Sequence, residues 1–440
     1  MTCPATLTSL LLLVALSVTA CVSAQKATIA NGEGYGPHPK LPMPRPTLIP
    51  TVNVAEAKRW PNGTMPKAAK GLRVNIFASG LDHPRWLYVL PNGDVLVAET
   101  NAPAKHDDGF SLRKFFMTQA MKRAGAATQS ANRITLLRDT DGDGVADISR
   151  PFIEGLNSPF GMSLSKGTLY VAATDSLVAF PYASGQMQVT TKPRKITDLP
   201  AGDINHHWTK DVIASRDGRK LYVTVGSNSN VGENGMPAER GRASVLQVDP
   251  STGKTRIFAS GLRNPNGLSF EPASGALWVA VNERDEIGDD LVPDYITSVR
   301  DGGFYGWPYS YYGQNVDTRA KPSRPDLVAR ALKPDYALGS HTASLGLTFA
   351  RASSLGSTYR DGAFVGQHGS WNRRQHSGYK VIYVPFRNGK PVGRPKDVLT
   401  GFLDQDNKAR GRPVGVTFDR SGSLLVADDV GNVIWRVSRK

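Results

Sequence analysis

The segment Asp139-Thr140-Asp141-Gly142-Asp143-Gly144-Val145-Ala146-Asp147 sets carboxylates at near-alternating positions on a glycine-bent loop. Asp139, Asp141, Asp143 and Asp147 would point hard oxygens at one centre, as Ca²⁺ requires. Arg150 stands where an EF-hand loop carries its bidentate Glu, so the expectation is a structural ion on a loop; the alternative is an acidic Asx-turn hairpin. A second group joins Arg263-Asn264 to Asn282-Glu283-Arg284-Asp285 and Asp289-Asp290. Such clusters are commonly solvated loops, but Arg263-Asn264 falls in a turn otherwise built from apolar, Gly and Pro residues. His206 and His207 stand side by side before a strand, where neighbours face opposite ways, so at most one faces inward. A His there is the natural general base near neutral pH, whereas a zinc pair would need ligand spacing that is missing. Arg410 and Arg412, two apart on an extended segment, can share an anion through their planar forks. His368-Gly369-Ser370-Trp371-Asn372-Arg373-Arg374 adds more cations, and Trp371 offers a flat wall; surface charge and a core Trp are the alternative. Together these segments describe a pocket for a planar polyanion, and no Walker loop, Rossmann fingerprint or Gly-x-Ser-x-Gly elbow accompanies them.

One repeated unit must position them. A Gly- or Pro-containing turn leads to a short apolar strand, then a polar turn, then a strand of the type Leu-Tyr-Val-Ala. The copies are 80–99, 155–174, 207–226, 261–283, 345–369 and 411–429. Six units from residue 71 to 440, each too small to bury both faces of its sheet, predict an all-β fold, a six-bladed β-propeller with loop insertions. The long gaps, 100–132, 285–340 and 387–409, would build the site on one face. Within the first, 110–124 has helical apolar spacing and a basic side, which predicts a rim or lid helix.

Net charge is +15, and 44 Gly with 30 Pro suit many short strands joined by turns. Residues 6–20 form an apolar run too short to span a bilayer, which reads as a signal peptide over 1–24. Val18-Thr19-Ala20-Cys21 resembles a bacterial lipobox that would leave Cys21 lipidated, while Val22-Ser23-Ala24 offers an ordinary cleavage site. Only Cys3 and Cys21 are present, so no internal disulfide framework is expected after processing. Residues 25–70, rich in Pro, read as a tether and an extended arm. An exported chain with arginines spread through loops argues against nucleic acid and for an anionic ligand or envelope surface.

The segments GLDHPRWLYVLPNGDVLVAET, HHWTKDVIASRDGRKLYVTVGSNSN, GLRNPNGLSFEP, HGSWNRR and RGRPVGV resemble the soluble quinoprotein sugar dehydrogenases that use pyrroloquinoline quinone (PQQ), the L-sorbosone dehydrogenase-like branch above all. That resemblance runs from about residue 71 to the end. It implies hydride transfer from a sugar or aldehyde to PQQ, with His207 as base and Arg263 and Asn264 near the reactive carbonyl. It also implies Arg410, Arg412 and Arg373 on the cofactor carboxylates, and Ca²⁺ held by Glu283, the backbones of Arg284 and Asp285, and Asp290. An external electron acceptor would follow. The glucose-oxidising members have Asp where His206 stands and Lys where this chain reads Trp-Asn-Arg, so glucose is not the expected substrate. Two other readings stay open: a Ca²⁺-dependent lactonase or esterase, and a non-catalytic propeller that binds a protein or glycan.

Overall fold

The second strand of each repeat is apolar on both faces, which requires a sheet covered from both sides. A computed structural model describes residues 28–30, 32–46, 51–103, 119, 122–125, 128–350 and 353–440, and it shows why. Six antiparallel sheets stand around one axis. Blade 1 runs Pro84–Val89, Val95–Glu99, Arg133–Arg138, Ile148–Glu154, and blade 2 Met162–Ser165, Thr168–Ala172, Ser176–Pro181, Arg194–Asp198. Blade 3 follows with Val212–Ala214, Leu221–Val225, Ser244–Val248, Thr255–Ser260, and blade 4 with Asn264–Phe270, Leu277–Asn282, Pro293–Ser298, Tyr336–Ser340. Blade 5 is Ser344–Phe349, Gly362–Gln367, Lys380–Arg387, Lys396–Thr400. Blade 6 joins Pro413–Phe418, Leu424–Asp428 and Val433–Arg439 to Leu72–Ser79 from the front of the domain. That pairing closes the ring and leaves no open sheet edge between first and last blades. The innermost strands touch in cyclic order, and Val95–Glu99, Gly362–Gln367 and Leu424–Asp428 are buried at every residue.

Buried carboxylates staple the blades. Asp211, at the entrance to blade 3, accepts Trp86 Nε1 from blade 1 at 2.9 Å and the Leu268 amide from blade 4 at 2.8 Å. Asp294 accepts the Glu283 amide at 2.9 Å and the Ser344 amide of blade 5 at 2.7 Å. Asp428 accepts Trp60 Nε1 at 2.7 Å and Trp435 Nε1 at 3.0 Å. Burial raises all three carboxyls, Asp211 and Asp294 to about 7 and Asp428 to about 6.

Ahead of Leu72, the chain crosses the molecule as an arm. Tyr35–Gly36 adds to the edge of blade 4 and Lys67–Ala68 to that of blade 5. Between them, the arm binds the loops near 287, 371 and 409 through main-chain hydrogen bonds. The signal segment, with Cys21, and nearly all of the expected helix at 110–124 lie outside the described residues.

Removing Asp211 leaves an indole and a main-chain amide buried without acceptors. Asp211→Ala should therefore cost on the order of 2–4 kcal/mol and lower the melting temperature by several degrees. Asp217→Ala, at an exposed turn, should not; equal melting of the two variants would refute the staple.

Candidate active site at one end of the ring

All six innermost strands run the same way, so the turns that precede them meet at one end of the ring. Glu99, Ser227, Glu283, His368 and Asp429, at or just beyond the ends of the antiparallel second strands, lie there too.

His207 sits in the turn leading to blade 3. Its Nδ1 is 2.8 Å from the Ser227 carbonyl oxygen, which makes Nδ1 the protonated nitrogen and leaves the lone pair on Nε2. Burial, then the Arg263 charge, pushes its pKa well below the ordinary value. Gly226 permits this approach, for a Cβ there would come within 2.4 Å of His207 Cβ and 2.6 Å of Asn264 Oδ1. The neighbouring His206 is exposed. Lys210 is fully buried and donates to the Trp208 carbonyl at 3.0 Å and, more weakly, to that of His207 at 3.5 Å. Burial brings its pKa down to about 7.

Arg263 is buried and held from three sides. It donates to the Glu283 carbonyl at 2.6 Å, Asn230 Oδ1 at 2.9 Å and Asp285 Oδ2 at 3.1 Å. Asn264 Oδ1 is buried without a partner. Arg412 stacks on Tyr379 at 5.0 Å and donates to the Ala55 carbonyl of the arm at 3.1 Å. Arg373 pairs with Asp290 at 3.2 Å. Arg410 is half-buried, and its guanidinium makes no hydrogen bond to a described residue. Trp371 is half-buried, its carbonyl bound by the Asn53 amide at 2.8 Å.

A further cluster escaped the sequence reading. Asp429 Oδ2 accepts Arg85 at 2.7 Å and His368 Nε2 at 2.8 Å, with His83 Nε2 at 3.5 Å. Burial opposes charge on Asp429, but His368, His83 and Arg85 outweigh it and hold the carboxyl far below its ordinary range. Burial lowers His83 to about 4. Arg85 also lies over the Trp208 ring at 5.8 Å. A small cavity lined by Arg59, Asp82, His83, Thr128, Asp429 and Asn432 opens beside this group. The repeats offered a signal: Asp82-His83-Pro84-Arg85 aligns with Arg263-Asn264-Pro265-Asn266, and Asp429 with Asn282.

The metal expectations fare differently. Asp139, Asp141 and Asp147 bring one oxygen each within 4.8 Å of one another, on an exposed loop at the outer side of blade 1, while Asp143 stays outside the group and caps the Val145 amide. At the ring's end, the Glu283 carboxylate accepts from Arg284, whose guanidinium also binds Asp317 at 3.0 Å. These side chains therefore face each other rather than an ion. Asp285 is taken by Arg263 and His341, and Asp290 by Arg373 and Thr28. These committed carboxylates do not fit Ca²⁺, whose shell of six to eight oxygens draws on carboxylates, carbonyls and waters.

A planar polycarboxylate fits better. Arg85 Nε, Arg373 Nε and Arg412 Nε are buried, can only donate, and have no acceptor among the described residues. Buried polar groups are almost always satisfied, so three such donors at one end of a ring call for acceptors, which an anion or water can supply.

The comparisons agree with this geometry. The family described as a domain of unknown function (DUF7133) matches residues 113–370, and the TrAA12-like family matches residues 314–440. An uncharacterized protein of Borreliella burgdorferi is 29% identical over 64% of this chain and 76% of its own length. A PQQ-dependent sugar dehydrogenase of Hypocrea jecorina is 23% identical over 83% of this chain and 87% of its own. The PQQ domain of Coprinopsis cinerea pyranose dehydrogenase, in its holo form, superposes with a TM-score of 0.69 at 21% identity, over 88% of this chain and 100% of the domain. The chain spans 54% of the full Coprinopsis enzyme. The named homologues and structural neighbours are thus PQQ-dependent sugar dehydrogenases on a β-propeller. With more than half of its length matched, the chain belongs to the DUF7133 family.

Proposed function

We propose that the protein is a PQQ-dependent oxidoreductase that oxidises a sugar or sugar aldehyde, sorbosone-like or aldose, and passes the electrons to an external acceptor. The observation that carries this reading is His207, with Nδ1 tied down and Nε2 without a partner among the described residues, beside Arg263, at a site whose buried Arg85, Arg373 and Arg412 Nε atoms have no acceptor among those residues. Bound PQQ supplies the hydride acceptor. His207 Nε2 takes the hydroxyl proton as the C–H bond breaks, its proton-bearing Nδ1 steadied by the Ser227 carbonyl. Arg263, locked by Glu283, Asn230 and Asp285, presents fixed positive charge without having to reorganise. Arg85, Arg412 and Arg373 orient the carboxylates, and the Trp208 and Tyr379 faces hold two of these guanidinium groups flat. Export, with Cys21 as a lipid anchor in the periplasm, belongs to the same proposal and is supported by the 6–20 apolar run and the lipobox-like residues before Cys21.

Reconstitution with PQQ, followed by a panel of aldoses, ketoses and aldehydes with an artificial acceptor, tests the proposal. At least one sugar should turn over, and His207→Ala should cut kcat by about 10²–10⁴-fold while leaving PQQ binding intact. Hydrolysis of lactones or esters without sugar oxidation would replace this reading with the lactonase.

The pH profile gives a second test. His207 is a base only when neutral, and its pKa lies below the ordinary value near 6.5. The kcat/KM should therefore hold level as pH falls through 6.5 and decline only below it. An acidic limb at or above 6.5 would remove His207 as the base.

A further inference from the structure

Resting on the PQQ reading, the resemblance assigns the loop after Leu277–Asn282 to Ca²⁺, yet the Asp285 and Asp290 carboxylates and the Glu283, Asp285 and Asp290 carbonyls are already committed. Asp285 alone serves four donors. Its Oδ2 accepts Arg263 at 3.1 Å, its Oδ1 accepts His341 Nδ1 at 3.1 Å, and its carbonyl accepts Arg319 at 3.0 Å and Asn230 at 3.2 Å. His341 Nε2 meets the Gly288 carbonyl at 2.9 Å. Both of its ring nitrogens therefore face acceptors, one on Asp285 and one on Gly288. Arg319 reaches in from the insertion between the third and fourth strands of blade 4, braced on Asp317 at 2.8 and 3.0 Å. The Asp290 carboxylate and carbonyl are bound as well. Among the carboxylate oxygens of 283–290, Asp289 Oδ1 is buried without a partner, and one oxygen does not make a Ca²⁺ shell.

We infer that this loop takes no divalent cation, and that His341 and Arg319, which hold the Asp285 carboxylate and carbonyl, position Asp285 and Arg263 for the quinone. A metal entering here would have to displace the charge-assisted hydrogen bonds that Arg263, Arg373 and the half-buried Arg319 make to this loop.

The test uses full-length protein carrying Asp139→Asn and Asp141→Asn, which silence the outer acidic loop, stripped with EDTA. Equilibrium dialysis against ⁴⁵Ca²⁺ should leave no ion on the chain, and one retained ion per chain would overturn the inference whether or not PQQ binds. Titration with PQQ, followed by tryptophan quenching, should give a Kd that Ca²⁺ changes by less than about twofold, since two ligands without coupling leave each other's affinity alone. A tightening of about tenfold or more with Ca²⁺ would overturn it as well. His341→Gln, which breaks the bridge between Asp285 and the Gly288 carbonyl but keeps a donor, should make PQQ binding respond to Ca²⁺; a merely structural histidine would give weaker binding with no such response, which would count against the inference. Failure of PQQ to bind under any condition sinks the quinone reading, and the dialysis arm still decides the loop.

Discussion

Closing six sheets into a ring with their inner strands all running one way forces the turns before those strands into one neighbourhood. Residues far apart in the chain, His83 and Arg85, His207, Arg263, His341 and Arg412, become neighbours for that reason alone. The closure itself depends on contacts that cross blade boundaries. Leu72–Ser79 completes blade 6, and Asp211 links the Trp86 indole of blade 1 to the main chain of blade 4 only four residues after His207. The scaffold and the candidate base are therefore held by the same stretch of chain.

Charge is the second constraint. Arg85, Arg263, Arg373 and Arg412 crowd one end of the ring, and Asp429, Asp285 and Asp290 answer three of them. Like charges at this density are tolerable only if they are paired or wait for an anion. The pairing is incomplete in a specific way: Nε of Arg85, Arg373 and Arg412 stays buried without an acceptor among the described residues. Burial first, and then the Arg263 charge, lowers the basicity of His207 and favours the neutral base.

Much of the fold was legible because the repeat period and the doubly buried second strands follow from ring geometry. Arg263 and Asn264 stood out because they interrupt a turn that is otherwise apolar, His207 because it pairs with His206 before a strand, and Arg410 and Arg412 because they lie two apart on an extended segment; Arg373 came with its cationic segment and the resemblance. Asp429 and Arg85 did not, since each looks like ordinary loop charge until its repeat is laid against the fourth. Carboxylate roles were the least legible. Composition marks Glu283, Asp285 and Asp290 as oxygen donors, but their partners Arg319, His341 and Arg373 come from segments that only the tertiary fold brings alongside. The pairing of Leu72–Ser79 with Val433–Arg439 was hidden likewise, because the strands lie at opposite ends of the domain.

The central claim is that the end of the ring is a receptor for a planar polycarboxylate beside His207. Its most direct test is a crystal structure of the protein grown with PQQ. The account predicts the cofactor at the axis, its carboxylates within hydrogen-bonding distance of Arg85 and Arg412, and His207 Nε2 open to the space above the quinone carbonyls. An axis holding only ordered water, with those arginine nitrogens turned to solvent, would contradict it.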